Sequence, residues 1–227
     1  MIDYRGMLRK SAEPEYAKFI SSLTPDHDKV LGVRVPRVRE IAKAILRDDW
    51  RQILGMDPEY LEEEMLVGIV IASAPIGTAE RIELIERFLP HVTSWATCDI
   101  FCSTMRMPKD DPELLWDYLS SLMGTGSAYP MRLSLVARMS IYKDEKHSRA
   151  ILEDIETHDN AEYYYRMGAA WAVSVIYVSF PDMVIDLLER GRMEAWTHNK
   201  SIQKIRESRR VSAEDKERVR ALRRRVP

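Results

Sequence analysis

Cysteine is almost absent from the sequence. Only Cys98 and Cys102 occur among the 227 residues, and their four-residue spacing suits neither a disulfide framework nor a zinc ribbon. Such a pair is most often two reduced structural thiols in a cytoplasmic protein. We therefore expect the protein to work in the cytoplasm.

Long hydrophobic runs are also missing. The longest, residues 65–74, is interrupted by glycine and serine and falls short of the roughly 18 apolar residues of a membrane span. The first five residues show no basic patch followed by an apolar core, so we expect no secretory signal. With 45% hydrophobic and 31% charged residues, the composition predicts a soluble globular protein. The length suits one large domain or two small ones. Since no linker interrupts the chain, we expect one domain over residues 1–227.

The common catalytic motifs do not occur. The sequence has no phosphate-cradling Gly-Lys-Ser loop, no dinucleotide glycine fingerprint, no His-Glu-x-x-His and no nucleophile elbow. Its five histidines lack metal-ligand spacing. These absences argue against metal chemistry and the common hydrolases, and we expect neither a metal nor a cofactor. An enzyme with this sequence would act through a few side chains on helix faces.

Helical periodicity is the dominant positive signal. Apolar residues recur at three- and four-residue steps after a series of helix-start signals, namely Pro36, Asp57-Pro58, Thr78, Asp111-Pro112, Pro181 and Ser212. Strand-like alternation and hairpin turns are missing. The β-branched segment 173–180 continues a helical pattern that starts at Tyr163. We predict eleven or twelve short helices in a degenerate HEAT-like solenoid with one concave surface; a plain helix bundle is the alternative.

Charge is distributed unevenly along the chain. The net charge is −2, but residues 196–227 carry 11 Lys and Arg against 4 Asp and Glu, or +7. The first 195 residues carry 23 against 32, or −9. A basic tail on an acidic body suggests an anionic partner. The alternative is a solvated helix end.

The most suggestive local element is the segment 94–99. If it is helical, Trp95 and Asp99 emerge on the same face, one turn apart. An aromatic ring beside a carboxylate suits the stabilisation of a cationic sugar or base. The alternative is a core tryptophan beside an aspartate that caps a neighbouring helix.

A second element is the aromatic segment 163–171. One stripe of this predicted helix combines large and small side chains, at Tyr164, Met167, Gly168 and Trp171. The small residues 168–170 would let another backbone approach closely. Such a stripe is usually core, and only its outward end is expected to bind a partner.

A third element is the basic segment 196–211. Its apolar residues anchor a helix, while Lys200, Lys204 and either Arg206 or Arg209 project from the polar side. We expect Thr197 or Asn199 to cap the start of this helix, which would leave backbone amides free to meet a phosphate. Several cations beside a helix N-terminus suit sequence-independent binding of duplex DNA.

Together these elements resemble the DNA alkylation repair family, the AlkD-like alkylpurine DNA glycosylases. The resemblance rests on the order and spacing of several motifs, which are Gly32-Val-Arg-Val-Pro36 with Arg39 and Ile41-Ala-Lys43, Trp95-x-x-x-Asp99, Ala169-Ala-Trp171 with Phe180-Pro-Asp182, and Trp196-Thr-His-Asn-Lys200 with Gln203-Lys-Ile-Arg206. The family often has Asp and Val where this sequence has Ala96 and Cys98.

The resemblance implies a fold, a partner and a reaction. The fold is an all-α, right-handed-type solenoid of HEAT-like antiparallel helix pairs with a concave DNA-binding surface, and the protein would be a monomer. Its partner is duplex DNA containing alkylated bases. The reaction is hydrolysis of the N-glycosidic bond of cationic N3- or N7-alkylated purines, as the first step of base excision repair. It would need no metal and no swing of the base into a deep pocket.

The resemblance also implies roles for individual residues. Asp99 would be the catalytic carboxylate, which stabilises the cationic sugar and orients the attacking water. Trp95 and Trp171 would pack against the sugar of the damaged nucleotide, and Arg132 would bind the DNA backbone beside the lesion. Two alternatives stay open. One is a non-catalytic HEAT-repeat protein that binds duplex or distorted DNA, and the other is a protein-interaction scaffold.

Overall fold

The computed structural model describes residues 2–25 and 27–225, so Val226 and Pro227 of the basic segment lie outside it. All regular secondary structure in the described residues is helical, as the sequence predicts. The α-helices are α1 (Tyr4–Lys10), α2 (Pro14–Leu23), α3 (Val35–Ile45), α4 (Leu61–Ser73), α5 (Thr78–Phe88), α6 (Trp95–Thr104), α7 (Pro112–Ser121), α8 (Ala128–Ile141), α9 (Glu145–Thr157), α10 (Tyr163–Tyr177), α11 (Pro181–Arg190), α12 (Ala195–Glu207) and α13 (Ala213–Arg220). Short 3-10 helices cover Trp50–Gly55, Leu89–His91 and Leu122–Thr125.

Most of the helix-start signals act where the periodicity places them, but the predicted start at Asp57-Pro58 is wrong, because α4 begins at Leu61. Pro36 lies in the first turn of α3 and Pro181 begins α11, because a proline in the first turn sacrifices no helical hydrogen bond. The hydroxyl of Ser212 accepts from the Asp215 amide at the start of α13. Gly191 ends α11 with a φ of 63°, a left-handed conformation that favours glycine.

The β-branched segment after Ala172 is helical as far as Tyr177, because it continues α10. This helix is mostly buried along its second half. Burial on most sides explains why its sequence shows no polar alternation and could resemble a strand. Among the described residues, no helix combines the length and apolarity needed to cross a bilayer.

The chain contacts group into two compact units, residues 1–118 and residues 119–227. In the first unit α4 is the central helix, and it packs against α3, α5 and α6. Every residue of α4 from Leu61 to Ala72 is buried. This helix therefore supplies much of the core on which α6 is positioned.

The second unit is built from helix pairs in two layers. Helices α8, α10 and α12 pack side by side in that order, while α9, α11 and α13 lie against them. The pairs α8/α9, α10/α11 and α12/α13 follow one another along the chain, which is the arrangement of an α-solenoid. The expectation of a single domain over the whole chain stays a prediction.

Candidate functional site

Trp95 and Asp99 lie on one face of α6, as the sequence predicts for a helical segment. Ser94 caps this helix, since its hydroxyl accepts from the Thr97 amide at 3.0 Å. Both Trp95 and Asp99 are partly exposed. The indole N–H of Trp95 donates to the carbonyl oxygen of Leu23 at 2.9 Å, which fixes the ring against the end of α2. The fixed indole ring of Trp95 and the partly exposed carboxylate of Asp99 therefore lie one helical turn apart.

Much of α6 faces the core. Ala96 and Cys98 are buried there, together with Phe101 and Cys102, and α6 packs on α4. The two positions at which this sequence departs from the family's usual motif are therefore packing positions.

A buried carboxylate beneath α6 was not predicted from the sequence. Glu64, in the first turn of α4, accepts hydrogen bonds from Thr93 Oγ1 at 2.7 Å, Thr97 Oγ1 at 2.8 Å and His27 Nε2 at 3.1 Å. The Ser94 hydroxyl donates to Thr97 in turn, at 3.0 Å. The hydrogen bond to Glu64 raises the pKa of His27, although burial opposes that shift.

We call these five side chains the Glu64 network. It ties the first turn of α6 to α4 and to the loop before α3, and so fixes the helix that carries Trp95 and Asp99. The sequence does show three acidic residues at the start of a helix, where they interact favourably with the helix dipole. The sequence did not predict that Glu62, Glu63 and Glu64 are buried. They precede an apolar run, and this run does not indicate how deeply the start of α4 is buried.

The glycine motif of residues 32–36 has a structural explanation. The carboxylate of Glu62 accepts from three successive backbone amides, at positions 31–33, over 2.7–3.0 Å. Gly32 has a φ of 81°, and a Cβ there would lie 2.4 Å from the carbonyl oxygen of Glu13. Glycine is therefore required for this close approach, which sets the entry into α3.

Arg132 lies in a slot between α8 and α10. Its side chain is only 5% exposed, and Nη1 donates to the carbonyl oxygen of Tyr164 at 2.7 Å. A Cβ on Gly168 would lie 3.1 Å from Cγ of Arg132. The small residue in the aromatic stripe thus makes room for an arginine side chain, whereas the sequence pattern predicted room for another backbone.

Four aromatic rings continue from this slot across three helices. Tyr129 stacks on Tyr164 at 5.7 Å, and Tyr163 contacts both Tyr164 at 5.3 Å and Trp196 at 5.9 Å. The Lys200 ammonium lies 5.3 Å from the centre of the Trp196 ring. Tyr163 is 56% exposed. Two predicted DNA-binding cations of the second unit contact this aromatic row, Lys200 at its Trp196 end and Arg132 at the backbone of Tyr164.

Trp171 lies two turns beyond Tyr164 on α10 and is partly exposed, as is Met167. Gly168, which lies between Met167 and Trp171 in the sequence, is buried. The stripe is therefore core in part and surface in part, as the sequence analysis expects. The role of Trp171 against a damaged nucleotide stays a prediction.

The predicted cap of α12 is wrong. Glu194 caps this helix, because its carboxylate accepts from the amides of Trp196 at 2.8 Å and Thr197 at 2.9 Å. Burial disfavours the charged form of Glu194, but these amides and Arg166 outweigh it and lower its pKa. The amides expected to meet a phosphate are thus occupied by a carboxylate.

The three predicted cations of α12 are partly exposed and all have polar neighbours. Lys200 donates to Gln203 at 2.9 Å. Lys204 pairs with Glu207 at 2.9 Å, and Arg206 lies 4.0 Å from Glu217. Exposed pairs of this kind are worth little and exchange readily for other anions. Their contact with DNA stays a prediction.

Two other residues of the basic motif hold the end of the chain. His198 Nε2 donates to the carbonyl oxygen of Leu222 at 2.9 Å. The Asn199 amide pairs both with the carbonyl oxygen of Arg224, at 2.9 Å, and with its N–H, at 3.0 Å. Both side chains are buried, and burial lowers the pKa of His198. We call this pair of side chains the C-terminal clamp; the sequence analysis missed it.

No group of three His, Cys, Asp or Glu side chains in the described part of the chain is arranged to hold a metal ion. The regular structure of the described residues is all-α, and the second unit, with its stacked helix pairs, carries the aromatic row. The family model described as "DNA alkylation repair enzyme" matches residues 5–205. The chain belongs to this family, which confirms the resemblance found in its motifs. No curated protein matched the chain.

Proposed function

We propose that the protein is a DNA glycosylase that hydrolyses the N-glycosidic bond of N3- or N7-alkylated purines in duplex DNA. The observation that carries the proposal is the partly exposed Asp99, one turn from Trp95 on a firmly capped helix. The family supports a role in alkylation repair. We further propose that it acts as a monomer, in the cytoplasm, without metal or cofactor.

The proposed reaction uses the positive charge of the alkylated base. When the bond from C1′ to the base nitrogen breaks, its electron pair neutralises the base and leaves the positive charge on the sugar. The Asp99 carboxylate stabilises that charge and orients a water molecule toward C1′. The attacking water loses a proton to solvent, so the products are the neutral base and an abasic sugar.

The remaining predicted residues are proposed to hold the DNA. The rings of Trp95 and Trp171 pack against the sugar, where their negative faces also favour its developing charge. Arg132 binds the DNA backbone beside the lesion. Lys200, Lys204 and Arg206 bind phosphates elsewhere on the duplex.

The test is release of methylated purines from alkylated duplex DNA under single-turnover conditions. We expect Asp99→Asn to lower the rate about 10²–10³-fold, as for removal of one preorganised stabilising group, with duplex binding retained. Asp117→Asn, which removes an exposed carboxylate from α7, is the matched control and should keep the wild-type rate.

Three other outcomes would redirect the assignment. Equal excision by wild type and Asp99→Asn removes this carboxylate from the mechanism. Binding without excision by the wild type favours a non-catalytic DNA-binding protein, for which the aromatic row would be sufficient. Absence of duplex binding even at low salt favours a protein-interaction scaffold.

A further inference from the structure

The chain turns back on itself after α13. Residues 222–225, which we call the C-terminal arm, return to the first two turns of α12, where the C-terminal clamp holds their backbone. Arg224 adds a further bond, from Nη1 to the carbonyl oxygen of Met193 at 2.8 Å, just before α12. This arm lies beyond residue 205, where the family match ends.

The arm presents arginines to solvent. Arg223, Arg224 and Arg225 are all exposed. Within residues 2–25 and 27–225, no acidic side chain pairs with Arg223 or Arg225. Earlier arginines of the same segment differ, since Arg218 pairs with Asp182 and Arg220 with Glu217. The positive charge of the arm is therefore available to an outside anion.

The clamp decides where this charge lies. Asn199 lies in the first two turns of α12, so the backbone that it holds runs along the end of the helix that also carries Trp196 and Lys200. An untethered basic tail would sample many positions. Here two buried side chains hold its backbone on the N-terminal half of α12, the helix that also carries the predicted phosphate-binding cations.

We infer that the C-terminal arm is a second phosphate-binding element, which extends the α12 surface along the sugar–phosphate backbone of duplex DNA. This inference rests on the proposed function for its partner, but not on catalysis by Asp99. Arginine suits the task because its planar guanidinium matches two phosphate oxygens at once. Backbone contacts of this type need no particular base sequence.

The experiment compares the salt dependence of binding to a short undamaged duplex, followed by fluorescence anisotropy. Each phosphate contact contributes about −0.9 to the slope of log K against log salt. We expect Arg223→Gln with Arg225→Gln to flatten the slope by about 1–2 and to weaken binding in low salt. Lys143→Gln with Lys146→Gln removes the same charge from exposed positions at the start of α9 and should leave the slope unchanged.

An unchanged slope in the arm variant would overturn the inference, as would an equal change in the α9 control, which would indicate a net-charge effect. Absence of duplex binding by the wild type would overturn it too. Excision of alkylated purines, measured at saturating protein, distinguishes failure of this inference from failure of the glycosylase proposal. Failure of the glycosylase proposal would abolish excision by the wild type and leave the difference in slope between the arm variant and the wild type intact.

Discussion

Replacing Glu64 by glutamine should cost the protein stability in a pH-dependent way. The carboxylate accepts three hydrogen bonds, from His27, Thr93 and Thr97. A hydrogen bond to a charged group is worth about 1 kcal/mol more than a neutral one. Three such bonds predict that Glu64→Gln lowers the free energy of unfolding by about 3 kcal/mol at pH 6. For a chain of this length the melting temperature should fall by about 6–12 °C.

The size of this loss should depend on the charge of His27. Its pKa is raised in the folded protein, mainly by the hydrogen bond to Glu64. The stabilisation from this pair is therefore fully present below about pH 6.5 and is lost as pH rises through the folded pKa. We expect the effect of Glu64→Gln to shrink to about 2 kcal/mol at about pH 9, where only the two threonine bonds still favour the charge.

Thermal unfolding of both proteins between about pH 6 and about pH 9 measures this difference. Glu59→Gln is the matched control, because Glu59 is an exposed glutamate paired with Lys29, and it should melt close to the wild type. A Glu64→Gln protein that melts like the Glu59 control, or whose deficit stays constant with pH, would refute the reasoning about the Glu64 network.

Three further predictions concern the second unit. Lys200→Glu with Lys204→Glu should weaken duplex binding equally for all sequences, measured by anisotropy; a sequence-dependent loss would argue against phosphate contact. Gly168→Val should force the Arg132 side chain from its slot and lower stability by about 1–3 kcal/mol in urea unfolding; an unchanged midpoint would contradict the tight packing. Burial lowers the pKa of His198, so its stabilising effect exists above about pH 6.5 and is lost in acid. His198→Gln should therefore flatten the acid-side decline in melting temperature, and an unaltered decline would exclude this histidine as its source.

The sequence predicts the helices well, because the signals that start and stop them are local. Pro36, Pro181, Gly191 and Ser212 act within one turn of their own positions. Periodicity also places Trp95 and Asp99 on one face correctly, since that relation needs only a helix. The thirteen α-helices of the described residues exceed the predicted eleven or twelve, and α1 is only seven residues long.

The polar contacts between distant segments could not be predicted in the same way. Glu64 meets His27 and Thr97 only after the chain folds, and nothing in their spacing indicates the contact. The cap of α12 was assigned to Thr197 or Asn199, because these residue types usually cap helices. The carboxylate of Glu194 is better placed, and Asn199 is turned toward the C-terminal arm.

The C-terminal clamp recognises main-chain atoms of the arm. His198 and Asn199 bond to the carbonyl oxygens of Leu222 and Arg224 and to one amide N–H, groups that almost every amino acid supplies. Mutations in the arm can therefore alter its side chains while its path over α12 is kept, and among residues 222–225 only proline at position 224 would remove an N–H that the clamp bonds. Because the arm is held by its backbone, the number of positive charges at this end of the molecule can change during evolution. Protein engineering can adjust it in the same way, without redesign of the helices beneath.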